Sequence, residues 1–461
     1  MSYVLRSIVV IAAALFIPAA ASARQEPHTT SPPEVTRRYV DPAAGTSLAD
    51  LIALGLRQEP GIQAALLATT AARHQVQQAG LRANPSVSVE RQRMRGGMGQ
   101  WAAMANWPLE LFRRGARVST AEAEVEMTAA GVAEQQRMLT LAIEMQYGEL
   151  LMAVRDLVLL DELWTAARET VTLLGERAEA GAAPRVERDA AAVDAGRLEA
   201  RRALATGQAD AALLELKRLV GLQPSAPLTV RETLEQAVDR SMAVSRDDGV
   251  DASPDGVAQP FRAASSDAGV DTRPDVREAL ARIDVEAARA TELRSGGRFD
   301  LSVFGGYMRM ESGFPQQAFG MDGQLEPIRG VFHNVTVGAM VMVPLFNRNQ
   351  GAVAAAETRR TAAERTAEAR RLQASSEVAA ATARVEAARA SLSVFTGALR
   401  ETARRNLDVM REAYQLGRNT VIEVLAEQQR TLDLEMAYSD ALADAFEAQA
   451  QLRAARGGVE R

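Results

Sequence analysis

The chain has 461 residues, a formal net charge of −6 and no cysteine. These figures exclude disulfides, a lipid carried on cysteine, and the basic surface that a nucleic-acid binder needs. Aromatic residues make up only 4% against an apolar fraction of 47%, much of it alanine, so long slim helices suit the composition better than a thick core.

Residues 1–23 have the form of a secretory signal peptide. Arg6 supplies the positive start, residues 7–17 an apolar stretch, and Ala21, Ser22 and Ala23 a small-residue cleavage site. No later stretch has the length and apolarity of a membrane-spanning helix. An exported chain of this kind is therefore either soluble in the periplasm or held in an outer membrane by β-strands. Residues 24–46, rich in Pro, Thr and charge, read as a disordered leader. Ser47 then caps a helix through Gln58, and Pro60 opens another that runs to about Leu81.

After this the period changes to two. Val87 and Val89 alternate with Ser86, Ser88 and Glu90, while Trp101, Ala103, Ala105, Trp107 and Leu109 fall on one face; a glycine-rich turn is expected at residues 95–100. The second half repeats the pattern: Leu301 and Val303 alternate with Asp300 and Ser302, and Val335, Val337, Ala339, Val341 and Val343 share a side. Four strands, at about 85–109 and 298–343, have the length of membrane-crossing β-strands. Closing a barrel takes at least ~8 strands, so two or more chains must contribute, and three would give twelve.

Each strand pair ends at a joint where a helical period takes over. Pro108 and Gly115 stand 236 positions before Pro344 and Gly351, and Gly181 and Gly221 stand 236 before Gly417 and Gly457. The chain is thus a tandem duplication. Upstream of the joints Pro60 and Val87 stand only 214 before Pro274 and Leu301, which leaves 22 extra residues in the second hairpin; these predict a longer loop, at 311–330. The first copy spans 47–241, with helices at 115–221; the second spans 273–457, with helices at 351–456; residues 242–272 read as a flexible linker.

Within the helices Val378, Val385, Leu392 and Leu399 recur every seven residues, with Ala381, Ala388, Phe395 and Thr402 three further on. In the first copy Ile143, Tyr147, Leu150, Val154, Leu157, Asp161 and Trp164 step by four and three. Nothing breaks the second helix between Gly351 and Gly417, a rod of roughly 100 Å. Each rod meets a break, at residues 181–184 and at 417–420, where glycine ends one helix and Pro184 or Thr420 opens the returning one.

The pieces EPGIQAA from Glu59, ANPSVSVE from Ala83, RPDV from Arg273 and VPLFNRNQG from Val343, in this order, resemble the TolC-like family of outer-membrane efflux ducts. The second and fourth are most similar to the branch serving heavy-metal resistance pumps. The absence of a lipidation cysteine and the long linker depart from many relatives. The resemblance implies a mainly α fold with membrane β: tandem-repeat long α-helical hairpins plus four β-strands per chain. As a homotrimer these would make a 12-stranded β-barrel in outer-membrane lipid, continued by a periplasmic α-helical barrel. The implied function is the passive exit duct of a tripartite efflux system, with a periplasmic adaptor (membrane fusion) protein and an inner-membrane resistance-nodulation-division pump as partners. Heavy-metal cations are the implied substrate, with drugs as the other option. A soluble periplasmic helical-hairpin adaptor is the alternative reading of the same pattern.

By resemblance the helix breaks form the periplasmic tip that docks the adaptor: Gly181, Pro184, Arg185, Glu187, Arg188, Gly417, Arg418, Asn419 and Glu423. Salt bridges or carboxylate rings from these charges could hold a duct shut and select cations. No catalyst or cofactor site is evident. Histidine occurs only at 28, 74 and 333, and no phosphate-binding loop is present. Half of the sixteen methionines, Met94, Met98, Met104, Met308, Met310, Met321, Met340 and Met342, fall in the strand regions. Thioethers suit monovalent copper, which makes Met308 and Met310 candidate metal ligands beside the plainer roles of barrel filling and lipid contact.

Overall fold

Period two yields to period 3.6 twice along the chain, and at both places the backbone passes from a sheet into a long helix. The computed structural model describes residues 34–93, 99–182, 184–247 and 267–458. The signal peptide, the first part of the leader, most of the 95–100 turn with Met94 and Met98, and linker residues 248–266 lie outside them.

The leader is built from α1 (Glu34–Arg37) onward, which corrects the expectation of disorder up to residue 46. Tyr39 and Val40 are buried, and Val40 and Thr46 each bridge to Val230. The Tyr39 hydroxyl donates to Asp210 at 2.8 Å, and burial followed by that carboxylate pushes its pKa up to about 12. Local composition could not show this, because the partners Asp210 and Val230 lie 171 and 190 residues from Tyr39 and Val40.

Helices α2 (Leu48–Gln58) and α3 (Pro60–Ala79) start on side-chain caps. Ser47 accepts from the Asp50 N–H, and Glu59 accepts from the Ile62 N–H at 2.7 Å. The hairpin β1 (Ser86–Arg93) and β2 (Gly99–Pro108) follows, then α4 (Arg113–Glu179), 67 residues without a break, and α5 (Arg185–Leu219). Helix α6 (Leu234–Asp247) enters the expected linker, and α7 (Asp267–Val270) leaves it. Both ends of that linker are therefore structured: Val270 is buried, and Asp271 pairs with Arg371 at 2.7 Å.

The second copy repeats this order in α8 (Pro274–Gly296), β3 (Asp300–Phe319), β4 (Leu325–Met342), α9 (Gln350–Val394), α10 (Arg400–Gln415) and α11 (Val421–Ala455). It is clamped at its start by Arg273, 2% exposed, which pairs with Asp275 at 2.8 Å and Glu377 at 2.5 Å and donates to the Ala455 carbonyl.

Two expectations for this copy change. The 22 extra residues do not form a loop: β3 has 20 residues against 8 in β1, and β4 has 18 against 10 in β2. Pairing runs out to Phe319 and Leu325, with one irregularity between Gly313 and Gln317, so the insert lengthens the hairpin itself. The rod is also interrupted, by a π-helical turn at Phe395–Leu399 in which Gly397 leaves helical geometry at φ −76° and ψ −156°. A π-turn inserts one residue into the helical count. The seam of half-buried Val378 and buried Val385 and Leu392 accordingly resumes not at Leu399, which is exposed, but one position later at half-buried Arg400, buried Leu407 and half-buried Tyr414.

The main core lies where α4, α5 and α11 pack together. Ile143, Tyr147, Leu150, Val154 and Leu157 meet Leu216, Leu442 and Phe446 there, all buried. The four strands form one antiparallel sheet in the order β1-β2-β3-β4, so β1 and β4 are its two edges.

Candidate functional site

Two glycines end the long helices at the far end of the rods. Gly181 and Gly417 have φ of 71° and 69°, and a Cβ on either would meet nothing within 4 Å. Glycine is therefore needed here for the left-handed turn and not for space. The next N–H groups reach back into the helices, Ala182 to the Arg177 carbonyl at 2.7 Å and Arg418 to the Ala413 carbonyl at 2.9 Å.

The returning helices start differently. At α11 the Thr420 hydroxyl accepts from the Glu423 N–H, and the Glu423 carboxylate accepts from the Thr420 N–H at 2.9 Å, closing a capping box. At α5 the same position is Pro184, which has no N–H to offer. Glu187, the counterpart of Glu423, is thus left free, and it accepts from the Tyr414 hydroxyl of the other hairpin at 3.3 Å. Burial, followed by the Glu187 charge, raises the Tyr414 pKa, so the phenol keeps its proton and remains a donor. Leu174, Ala191 and Val421 form a small buried cluster beside this contact, with Val171, Tyr414 and Leu425 packed on it.

The remaining predicted tip residues do not join the hairpins. Arg188 pairs with its neighbour Asp189 at 2.6 Å, Asn419 donates to the Met410 sulfur at 3.2 Å, and Arg185 and Arg418 lie exposed. Tyr414 is the residue that sequence reasoning missed; the signal was its spacing of seven from Leu407 once the π-turn is counted.

Above the tip, the π-turn stands beside a buried carboxylate. Glu435, 4% exposed, receives Arg400 at 2.8 Å, Arg404 at 2.8 Å and Arg155 at 3.2 Å. Burial pulls its pKa up, yet the arginines, Arg400 first, outweigh this and hold it below the ordinary value. Arg400 and Arg155 also lie over the Tyr438 ring, at 3.8 and 4.9 Å from its centre. Three cations from α4 and α10 therefore converge on one residue of α11.

The joints between sheet and helix turn on residues other than those expected. Gly115 and Gly351 sit in the first turns of α4 and α9 with open space around them, and Pro108 and Pro344 lie at or just past the strand ends. The left-handed residues are instead Glu110 (φ 46°) and Asn349 (φ 59°). Asn349 tolerates this conformation and anchors it by donating to the Leu293 carbonyl at 3.1 Å. Gly297 packs on the same turn, where a Cβ would lie 2.3 Å from the Arg348 carbonyl oxygen.

The sheet separates chemistry by face. Direct partners place Val87, Ala105, Gly305 and Val337 in one row and Val89, Ala103, Tyr307 and Val335 in the next, so one face is apolar. The opposite face carries Ser88, Glu90, Gln100, Asn106, Asn334 and Thr336, and with them Met104, Met308, Met310, Met340 and Met342. These five methionines therefore share the mixed face. Met308 has Ala102 and Asn334 as direct partners, and Met310 has Gln100 and Phe332.

A family model, outer membrane efflux protein, matches residues 51–222 and 267–458. The chain belongs to the outer membrane efflux protein family. No curated protein matches it in sequence. Among solved structures it is similar to CusC, with a TM-score of 0.69 at 18% identity, covering 90% of this chain and 93% of that one. It is similar to VceC from Vibrio cholerae at a TM-score of 0.65 and 19% identity, covering 89% and 96%. The open state of MtrE from Neisseria gonorrhoeae gives 0.67 at 17% identity, covering 89% of each chain. The fold is therefore that of the efflux channels, with long α-helical hairpins duplicated around membrane β-strands. An efflux channel, and neither an enzyme nor a soluble adaptor, is the function class this family gives the chain.

Proposed function

We propose that three copies of this chain form the passive exit duct of a tripartite efflux system in the outer membrane, with the helical rods extending into the periplasm. The observation that carries this reading is the sheet. The outer edges of β1 and β4 have no strand partner among the described residues, and one face is apolar from the helix end of the sheet to the row of Val89, Ala103, Tyr307 and Val335. An open edge in lipid leaves N–H and C=O groups unsatisfied, and pairing β1 of one copy with β4 of the next removes every edge. Three copies give twelve strands, within the range of membrane barrels.

The rods then form the tunnel, and the hairpin ends at Gly181 and Gly417 form its periplasmic mouth. Glu187 and Tyr414 tie the two hairpins of a chain together in the resting state. An adaptor docking on Arg185, Arg188 and Arg418, whose charges are exposed, draws the hairpins apart, and a separate resistance-nodulation-division pump in the inner membrane supplies the energy. The proposed cargo is a heavy-metal cation. Support comes from the NPSVSVE and PLFNRNQG pieces and from the thioethers of Met308 and Met310 on the face that would line the lumen.

The mass of the detergent-extracted, unboiled protein by light scattering tests the assembly. Three chains per particle is the expected result. A monomer that stays soluble without detergent would contradict it.

A further inference from the structure

The two ends of the sheet treat their arginines differently. At the helix end, Arg114 donates to the Gly80 carbonyl at 2.5 Å, and Arg117 donates to Ala79 and Leu81 and pairs with Glu110. Arg113 donates to Gly296 and lies 3.7 Å from Asp300, Arg348 donates to Pro344, and Arg298 lies over the Phe112 ring. These cations are used up in building the joints.

At the other end the register places Arg91, Trp101, Arg309 and His333 in a single row across all four strands, on the apolar face. Arg93 stands one row beyond Arg91 on the same face. Arg91 and Arg93 are exposed and have no carboxylate or carbonyl partner among the described residues. Arg309 shares one carboxylate, Glu311 at 2.9 Å, with both side chains about two-fifths exposed. Three arginines thus face one glutamate. Trp101 stands in the row of Arg91 and Arg309 and Tyr307 in the next one down; their rings are 5.4 Å apart, and the Tyr307 hydroxyl and His333 Nδ1 are 2.5 Å apart. From the Tyr307 row toward the helices the face is otherwise apolar, with Val89, Ala103 and Val335 beside Tyr307 and Val87, Ala105 and Val337 below them.

Along β3 the distance from Arg309 back to Leu301 is roughly 27 Å, which a strand tilt of about 40° reduces to a height of roughly 21 Å, a little under the ~25 Å apolar band of a membrane barrel. The order outward is therefore an apolar band and then a rim where aromatic rings and arginines lie together. A cation level with the aromatic girdle sits at headgroup level, and a guanidinium binds phosphate through paired N–H donors.

Resting on the outer-membrane duct reading above, we propose that Arg91, Arg93 and Arg309 form a binding site for the phosphate groups of the outer-leaflet glycolipid. Arg91 and Arg93 are roughly 7 Å apart along β1, and Arg309 lies two strands away at roughly 10 Å, so one multiply phosphorylated headgroup can meet all three. Because β1 is an edge strand, the lipid would sit beside the seam between neighbouring chains.

The test uses the full-length protein in lipid-free detergent, first shown to be a conducting trimer, so that failure of the duct reading appears before any lipid is added. Bis-phosphorylated lipid A, its dephosphorylated form and inorganic phosphate are then titrated and followed by native mass spectrometry and thermal shift. The expected result is lipid A binding that weakens by about tenfold or more in R91Q/R93Q and also weakens in R309Q. The dephosphorylated lipid should bind wild type as poorly as lipid A binds the double variant. Equal affinity of wild type and variants, or of the two lipids, would overturn the proposal. Competition by inorganic phosphate at equal concentration would assign the site to a free anion and overturn the lipid. If R91Q/R93Q fails to form trimers without lipid while R309Q binds lipid A normally, the edge arginines serve the contact between chains and the proposal falls.

Discussion

The two copies of the strand–helix unit share their break points to the residue and differ in what holds them. Left-handed glycines occur at 181 and 221 and again at 417 and 457, a constant spacing of 236. The helix after each break has 35 residues in both copies. Yet α4 is continuous where the second copy is interrupted by its π-turn. Asp161, which accepts from Arg202 at 2.5 Å, corresponds to Gly397. The cation–π pair next to it is exchanged between helices. In the first copy Arg202 of α5 lies 4.6 Å from the Trp164 ring of α4, while in the second Arg400 of α10 lies 3.8 Å from the Tyr438 ring of α11. The first copy is thus an unbroken frame, and the second carries a kink supported by Glu435. The geometry of the break points was kept through the duplication, while the course of the long helix and the side chains beside it diverged.

The comparison is broken most severely by deleting one residue from each rod. Removing Asp161 rotates everything beyond it by about 100° and takes Ala167 and Leu174 off their buried face, at a cost above about 3 kcal/mol. Removing Gly397 should instead turn the π-turn into ordinary helix and leave Arg400, Leu407 and Tyr414 in place, changing stability by no more than about 1 kcal/mol. Thermal unfolding followed by circular dichroism distinguishes the two, and equal losses would refute the account of the kink.

Next in size is Glu435→Gln, which leaves Arg155, Arg400 and Arg404 without their shared carboxylate and should cost about 3 kcal/mol near neutral pH. The folded-state pKa of Glu435 lies below its unfolded value of 4.5, so its stabilisation is complete above that pH and is lost as pH falls through the folded value. The gap in melting temperature between wild type and variant should therefore begin to narrow as pH falls below about 4.5 and close once it is below the folded value. A gap independent of pH would place the effect elsewhere.

Smaller still is Pro184→Thr, which restores the N–H that Glu187 needs for a capping box like that of Thr420 and Glu423. It should strengthen the α5 start by about 1 kcal/mol while removing the Tyr414 contact, so stability and channel opening rise together. A variant that is more stable yet no more open would separate the cap from the tip. The smallest expected effect on the fold is Met308→Leu with Met310→Leu, which keeps volume on the mixed face and should cost under about 1.5 kcal/mol. Copper tolerance should fall if the thioethers carry cargo, and equal tolerance would leave them as filling.

The duplication and the break points were legible because each depends on a local backbone need that recurs in both copies, Pro60 and Pro274 at a spacing of 214 and Gly181 and Gly417 at 236. The π-turn was hidden because Leu399 and Thr402 happen to continue the heptad through it, while the true seam lies one residue later at Arg400 and Leu407. The longer hairpin was mistaken for a loop because the change of offset shows only that residues were added between the strands, whereas strand pairing is decided by the partner across the ladder. At the tip the charged residues were visible and the working contact was not. It depends on Pro184 lacking a proton and on Tyr414 arriving from another hairpin.

Single-channel conductance of the reconstituted trimer, wild type beside Tyr414→Phe, tests the central claim most directly. The account predicts a small conductance for wild type and a larger one, or more frequent opening, for the variant, because three Glu187–Tyr414 bonds of about 1 kcal/mol each no longer hold the hairpins together. Identical records from the two, or a protein that never conducts, would contradict it.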